Sequence, residues 1–167
     1  MKLILHDLDP SVFNTLFPQL ESNVHVIGKE KPLKNCIGCF SCWVKTPGAC
    51  ILKDSYDNLG AVLSKCDEFK IISACTYGGF SPFVKNIMDR SIPYLLPYFQ
   101  IKNGEMHHQQ RYDIPFSLSV YFYGNDITLD EINTAKKLII ANSINFDCSK
   151  HSVQFFKTPQ EIKGDLI

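Results

Sequence analysis

Apolar residues occur along this chain in two patterns that alternate from one segment to the next. Short, nearly continuous apolar runs predict buried β-strands. Between these runs, apolar residues spaced three or four positions apart predict amphipathic helices. The predicted strands, in chain order, are residues 2–6, 24–27, 69–74, 116–122 and 152–156.

Helix starts are marked by residues that cap a helix N-terminus. Asp54 is predicted to cap a helix that runs to about residue 64. Ser81 followed by Pro82 predicts the start of another helix, because proline is favoured at the first helical position. Thr128 and Glu131 have the spacing of a capping box and predict a third start.

The alternation of strands and helices predicts the fold class. It favours an α/β, doubly wound, five-stranded parallel sheet with helices on both faces, in a single domain over residues 1–167. Such sheets bind ligands at the carboxyl ends of their strands. We expect the loops at residues 7–11, 75–80 and 123–126 to meet there. The long loop 29–53 follows the second strand and is expected at the same edge.

Charge and composition exclude several classes of function. Lys plus Arg and Asp plus Glu each number 17, so the formal net charge is zero. Nothing in that balance favours nucleic acid or an anionic membrane as a partner. The sequence also contains neither a signal-peptide pattern nor an apolar run long enough to span a membrane. We therefore expect a cytoplasmic protein.

Four of the seven cysteines lie close together in the long loop, in the order C-x2-C-x2-C-x7-C. In a reducing compartment, such clustering favours a metal-binding or catalytic site over a disulfide framework. The residues alone leave four interpretations open: an iron–sulfur cluster, a zinc ion, a redox Cys-x-x-Cys pair, or a structural loop anchored by Trp43. The candidate metal ligands are Cys36, Cys39, Cys42 and Cys50.

Two stretches carry a resemblance to a known family. Residues 76–90 form a Tyr-Gly-Gly loop, a Ser-Pro helix start and an Asp-Arg helix end, and residues 36–54 contain the cysteine run, a tryptophan and an acidic residue. Together they resemble the flavodoxin-like NAD(P)H-dependent FMN reductases and iron–sulfur flavoproteins. Asp89 and Arg90, at the helix end, are interpreted as structural rather than catalytic.

The resemblance implies FMN as cofactor, NAD(P)H as co-substrate and a 4Fe-4S cluster on the cysteine loop. It also implies electron transfer to a small-molecule or protein acceptor, and a homodimer or homotetramer. No catalytic side chain is identified, because the flavin ring carries the chemistry. The residues implied in FMN binding are Ser11, Asn14, Thr15, Thr76, Tyr77, Gly78, Gly79, Phe80, Tyr123, Gly124 and Asn125.

One segment departs from the family pattern. The loop after the first strand has neither the glycine nor the arginine of the family's phosphate-binding loop, and it carries Asp7 and Asp9. Two carboxylates would repel a phosphate dianion. The alternative function is therefore a flavodoxin-like binding or assembly module without cofactor, with a structural zinc or thiol site in residues 36–50.

Overall fold

The computed structural model describes residues 1–162, which are organised around one parallel sheet. Across the sheet, the five strands are residues 24–27, 2–6, 68–74, 117–123 and 150–156, and each pairs in parallel with its neighbours. The apolar runs form strands because a parallel sheet covered on both faces buries consecutive side chains. The strands are β1 (Lys2–His6), β2 (Val24–Ile27), β3 (Glu68–Ala74), β6 (Ser117–Tyr123) and β7 (Lys150–Phe156). The predicted α/β class and all five strands are confirmed.

Helices cover both faces of this sheet. On one face, Leu3 and Leu5 of β1 belong to the larger hydrophobic cluster, to which the helices at residues 59–63, 82–90 and 129–145 contribute. On the other face, Ile4 packs in a smaller cluster with Phe13 of the first helix. The helices are α1 (Pro10–Leu16), α2 (Ser41–Val44), α3 (Leu59–Leu63), α4 (Pro82–Arg90) and α5 (Leu129–Asn145).

The predicted helix starts have mixed outcomes. Ser81 caps α4, and Thr128 with Glu131 forms a capping box at α5, as predicted. The prediction that a helix starts at Asp54 was wrong, because α3 begins only at Leu59. The Asp54 carboxylate is occupied elsewhere, since it forms an ion pair with Arg90.

The segment between α4 and β6 contains an antiparallel hairpin that the sequence pattern did not predict. Its strands are β4 (Leu95–Lys102) and β5 (Glu105–Gln110), which pair with each other outside the main sheet. Asn103 and Gly104 connect them with φ angles of 53° and 82°. Positive φ at both central residues is typical of a type I′ hairpin turn.

The strand order places three loops at one edge of the sheet. β1, β3 and β6 are adjacent and parallel, so the segments after His6, Ala74 and Tyr123 all leave from the carboxyl edge. We call this edge the rim. Within residues 1–162, no helix combines the length and apolar character needed to cross a bilayer.

Candidate cofactor sites

A buried carboxylate ties the three central strands together at the rim. Asp7 follows β1 and is 4% exposed. Its Oδ2 accepts a hydrogen bond of 2.9 Å from the backbone N–H of Ala74, and its Oδ1 accepts one of 2.9 Å from the hydroxyl of Tyr123. Burial, with the nearby Asp7 charge and this hydrogen bond, raises the pKa of Tyr123. Tyr123, implied by the resemblance in FMN binding, is therefore paired within the chain.

The N-terminus of α1 is capped by a second carboxylate. Asp9 accepts hydrogen bonds from the backbone N–H of Ser11 at 2.9 Å and from its hydroxyl at 2.7 Å. These bonds lower the pKa of Asp9. The Thr15 hydroxyl donates to the Ser11 carbonyl, and Asn14 is exposed. Ser11 and Thr15, two of the residues implied in FMN binding, are thus hydrogen-bonded within the loop and helix.

The loop after β3 contains a tight turn that is fixed by α5. The backbone groups of Thr76 and Gly79 exchange two hydrogen bonds of 2.9 Å. At Gly78, where φ is 75°, an added Cβ would lie 2.7 Å from the Cβ of Thr134 and 2.8 Å from the carbonyl oxygen of Glu131. Tyr77 at the turn is 90% exposed. The turn therefore presents an aromatic ring to solvent on a rigid base.

Two more residues implied in FMN binding differ in exposure. Phe80 is buried in the core and its ring centroid lies 5.4 Å from that of Phe122, so its side chain supports the sheet. The N–H of Gly124 donates to the carbonyl of Phe156, and Asn125 is exposed. The rim thus gathers the implied residues at one edge, with Tyr77 and Asn125 facing solvent.

The four clustered cysteines line one small cavity of about 60 Å³. All four are free thiols; Cys42 is buried, Cys50 is half-buried, and Cys36 and Cys39 are exposed. The remaining wall is largely apolar, and it consists of Ile37, Gly38, Phe40, Ile51, Leu52, Asp89, Arg90, Ile92 and Pro93. We call this space the cysteine cavity.

Three contacts hold the cysteine loop in place. The indole N–H of Trp43 donates to the Leu95 carbonyl at 2.9 Å, and the ring packs against Phe40 and His108. The backbone N–H of Cys36 donates to the Asn86 side chain of α4 at 3.0 Å. The N–H of Cys50 donates to the carbonyl of Asp57 at 2.7 Å. The loop is therefore bound to both α4 and the hairpin.

The thiols differ in their electrostatic surroundings. Burial, together with the charges of Cys50, Cys36 and Cys39, raises the pKa of Cys42. Hydrogen bonds from the hydroxyl and backbone of Ser41 lower the pKa of Cys39. The other three cysteines affect the pKa of Cys42 because all four line one cavity.

Zinc suits this arrangement poorly. Within residues 1–162, no three His, Cys, Asp or Glu side chains converge closely enough to hold a single metal ion. A structural zinc requires four ligands at about 2.0–2.3 Å from one point. A four-iron cluster instead binds each thiolate at a different iron, so its ligands stand farther apart. The zinc alternative is not supported by this placement.

A buried ion pair borders the cysteine cavity. Arg90, 1% exposed, forms a bidentate ion pair with Asp54 through both terminal guanidinium nitrogens. Burial by itself would raise the pKa of Asp54, but hydrogen bonds from Arg90, from the Lys34 N–H and from the Tyr56 N–H lower it to about 2. Asp89 pairs with Lys85 instead. The Asp89–Arg90 segment therefore forms two separate pairs, and only Arg90 is buried.

Comparison with solved structures identifies the fold. No protein-family model matches the chain. An FMN-dependent NADH-azoreductase of Bacillus anthracis, solved with FMN, matches 99% of this chain and 90% of its own at 9% identity and a TM-score of 0.55. The general stress protein 14 of Treponema denticola, also solved with FMN, matches 96% and 87% at 11% identity and a TM-score of 0.54.

The chain has the flavodoxin-like fold. Its strand order corresponds to the 2-1-3-4-5 order of that fold, in which ligands bind at the rim. Part of the sequence is also similar to an iron–sulfur flavoprotein of Methanocaldococcus jannaschii, at 35% identity over 74 residues. That match spans 44% of this chain and 37% of the relative.

Within this flavodoxin-like fold, the two candidate sites lie at opposite ends of α4. The rim turn at Gly79 precedes the helix, and the cysteine cavity borders its last residues and Ile92. A helix of nine residues is about 13 Å long. The expectation that the cysteine loop lies on the rim was therefore wrong. The loop packs along α4 because Asn86 and Arg90 hydrogen-bond to its backbone.

Proposed function

We propose that this protein is an FMN-dependent NAD(P)H oxidoreductase that transfers electrons through a 4Fe-4S cluster on its cysteine loop. The observation that carries the proposal is the position of Cys36, Cys39, Cys42 and Cys50 around one largely apolar cavity. The flavodoxin-like fold and the partial similarity to an iron–sulfur flavoprotein support the pairing of flavin with cluster. A small molecule or a redox protein would be the electron acceptor.

The donor set of the cysteine cavity fits an iron–sulfur cluster. Four residues with free thiols line one space, and the rest of its wall is largely apolar. When held by four thiolates, such a cluster transfers single electrons. Cys36, Cys39, Cys42 and Cys50 would supply the thiolates, and Trp43 and Asn86 would hold the loop that carries them.

The rim fits the ring end of FMN better than its phosphate end. The Thr76–Gly79 turn offers backbone groups and the exposed ring of Tyr77, which would contact the flavin. When bound, FMN accepts hydride from a nicotinamide and passes electrons on. At the start of α1, the Asp9 carboxylate already holds the donors of Ser11. A phosphate there would have to displace Asp9.

The proposed location and the proposed oligomeric state rest on the free cysteines and on the exposed face of the hairpin. All seven cysteines are free, which supports a reducing, cytoplasmic location. The hairpin exposes four large apolar side chains, which support an interface between copies in a homodimer or homotetramer. These side chains are Tyr98, Phe99, Ile101 and Met106.

The experiment that tests the proposal uses protein purified without air and supplied with FMN. After removal of free flavin, bound FMN is quantified, and the visible flavin band is followed as NADH or NADPH is added. We expect the band to bleach with at least one nucleotide and to return with an acceptor. FMN without protein is the control. Protein that neither retains FMN nor oxidises either nucleotide would refute the enzyme function.

The paired state of Asp7 and Asp9 favours a second candidate, a binding or assembly module without cofactor. In that case, Asp7 would serve to tie the strands and Asp9 to cap α1. The same experiment, with iron and sulfide supplied as well as FMN, separates the two candidates. A module without cofactor would stay colourless after incubation with FMN, iron and sulfide, whereas the oxidoreductase would take up both groups.

A further inference from the structure

Arg90 has one N–H group that its protein partners leave unpaired. A guanidinium has five N–H donors. The two terminal nitrogens of Arg90 donate four hydrogen bonds. Two go to Asp54, one to the Lys34 carbonyl at 3.0 Å and one to the Leu52 carbonyl at 3.1 Å. The fifth donor is the N–H of Nε.

This remaining donor is buried beside the cysteine cavity. Arg90 Nε has no hydrogen-bond partner among the described residues, although the side chain is 1% exposed. Buried donors in folded proteins are nearly always paired. Arg90 also lines the same cavity as the four cysteines. The positive charge of Arg90 is already paired with Asp54, and an anionic acceptor in that cavity would satisfy the unpaired N–H.

Cys50 is the cysteine that interacts most directly with this arginine. Burial by itself would lower the pKa of Arg90, but the hydrogen bond to Asp54 and the charges of Cys50 and Asp54 raise it. The backbone of Cys50 is fixed by its hydrogen bond to Asp57, and the backbone of Leu52 by its hydrogen bond to Arg90. These two bonds fix the loop segment between Cys50 and Leu52 beside the guanidinium.

We propose that the Arg90 Nε–H donates a hydrogen bond to an anionic sulfur in the cysteine cavity, either the Cys50 thiolate or a sulfide of the cluster. In that role, Arg90 is a positioning residue that raises the reduction potential of the cluster. Hydrogen bonds and positive charge near the sulfurs favour the more negative, reduced form. This inference rests on the proposed function, because it requires a cluster on the cysteine loop.

The charge of Asp54 allows the direction of a change in reduction potential to be predicted. Asp54 neutralises Arg90 at the cavity wall, so removing its charge leaves the guanidinium uncompensated. Asp54→Asn should therefore shift the potential upward. Arg90→Lys keeps a cation beside Asp54 but loses the Nε–H, so it should shift the potential downward. A merely structural ion pair would not produce two shifts of opposite sign.

The experiment measures the midpoint potential of the cluster by anaerobic redox titration, followed by visible absorbance and electron paramagnetic resonance. The wild type is compared with Arg90→Lys, Asp54→Asn and Lys53→Gln. Lys53 pairs with Asp57 and is 71% exposed, so its loss removes a positive charge near the loop without affecting the cavity. Iron content and thermal unfolding are recorded for each variant, so that potentials are compared only between folded, loaded proteins.

We expect a lower potential in Arg90→Lys, a higher one in Asp54→Asn and no change in Lys53→Gln. Loaded variants with the wild-type potential would overturn the role of Arg90 and leave the cluster in place. A wild-type protein that takes up neither iron nor sulfide would overturn the proposed cluster, and with it this inference.

Discussion

The Asp9 carboxylate holds both donors of Ser11, the backbone N–H at 2.9 Å and the hydroxyl at 2.7 Å. A protein carboxylate therefore occupies the start of α1, the place where the flavodoxin-like reductases are expected to bind the FMN phosphate. An FMN phosphate at this position would have to compete with the cap, although the positive charge of Lys29 lies close enough to contribute to the lowered pKa of Asp9.

Replacing Asp9 with serine should strengthen FMN binding. Serine is itself a good N-cap, so α1 is preserved while a negative charge is removed. Removing one like charge a few ångströms from the phosphate weakens the repulsion, so we expect about a tenfold gain in affinity. Isothermal titration with FMN measures this gain.

Riboflavin is the matched control, because it has the same ring without the phosphate. Asp9→Ser should leave riboflavin affinity unchanged. An equal gain for both ligands would show that Asp9 acts on the ring or the loop, contrary to our account of the phosphate end.

The turn at Gly78 should tolerate no side chain. In Gly78→Ala, the new Cβ would come within 3 Å of both Thr134 and Glu131, and φ is 75°. Gly104→Ala is the control, since φ is 82° there and nothing lies within 4 Å of the new Cβ. We expect about 1 kcal/mol of destabilisation at Gly104 from backbone strain alone and about 2 kcal/mol more at Gly78 from steric overlap. Urea unfolding measures both, and equal losses would contradict the described packing.

Trp43 should stabilise the cysteine loop through its indole N–H. Trp43→Phe keeps an aromatic ring and removes the hydrogen bond to the Leu95 carbonyl. We expect a loss of about 1 kcal/mol in the free energy of unfolding. Faster amide hydrogen exchange at the loop residues around Cys42 should accompany it.

Phe40→Leu provides the comparison for Trp43, because Phe40 is 56% exposed and its side chain carries no hydrogen bond. Its effect should stay within about 0.5 kcal/mol. A Trp43→Phe variant with unchanged stability and unchanged loop exchange would show that the loop is held by its other contacts.

His6 predicts a loss of stability in mild acid. Its ring is fully buried and stacks on Phe13 at a centroid distance of 3.9 Å, and neither ring nitrogen has a partner among residues 1–162. Burial lowers the pKa of His6 to about 4 from an ordinary value of 6.5. Between those pH values the unfolded chain binds a proton that the folded protein does not, so stability falls as pH falls, by about 3 kcal/mol.

His6→Phe tests this assignment directly, since it keeps the stack on Phe13 and cannot titrate. Urea unfolding at pH 7 and pH 4.5 should show a smaller loss on acidification in the variant than in the wild type. The same pH dependence in both proteins would assign the acid sensitivity to other groups.

Local patterns of apolar and capping residues predicted much of the fold. Contacts between residues far apart in the sequence could not be predicted from those patterns. The strands were predictable because a buried parallel strand such as β3 needs a continuous apolar run. The hairpin was missed because Pro97 and the polar residues of β5 interrupt any clear alternation. The ion pair of Asp54 and Arg90 joins residues 36 positions apart, so the local capping rule assigned Asp54 a different role.

The candidate sites follow the same distinction. The spacing of the four cysteines indicated a shared site, and they do line one cavity. The cavity lies beside α4 because Asn86 and Arg90 hydrogen-bond to the cysteine loop. The spacing of the cysteines gives no information about these two residues. At the rim, the sequence predicted repulsion of a phosphate by Asp9, whereas the bond from Asp9 to the Ser11 hydroxyl required the structure.

The central claim is that the cysteine cavity holds an iron–sulfur cluster. The most direct test is quantification of iron and acid-labile sulfide in protein purified without air, for the wild type and for Cys42→Ser. Cys148→Ala is the control, because that thiol lies outside the cavity and burial raises its pKa to about 12. We predict about four iron and four sulfide per chain in the wild type and the control, and a loss of both in Cys42→Ser. Wild-type protein without sulfide, or iron retained equally in Cys42→Ser, would contradict the account.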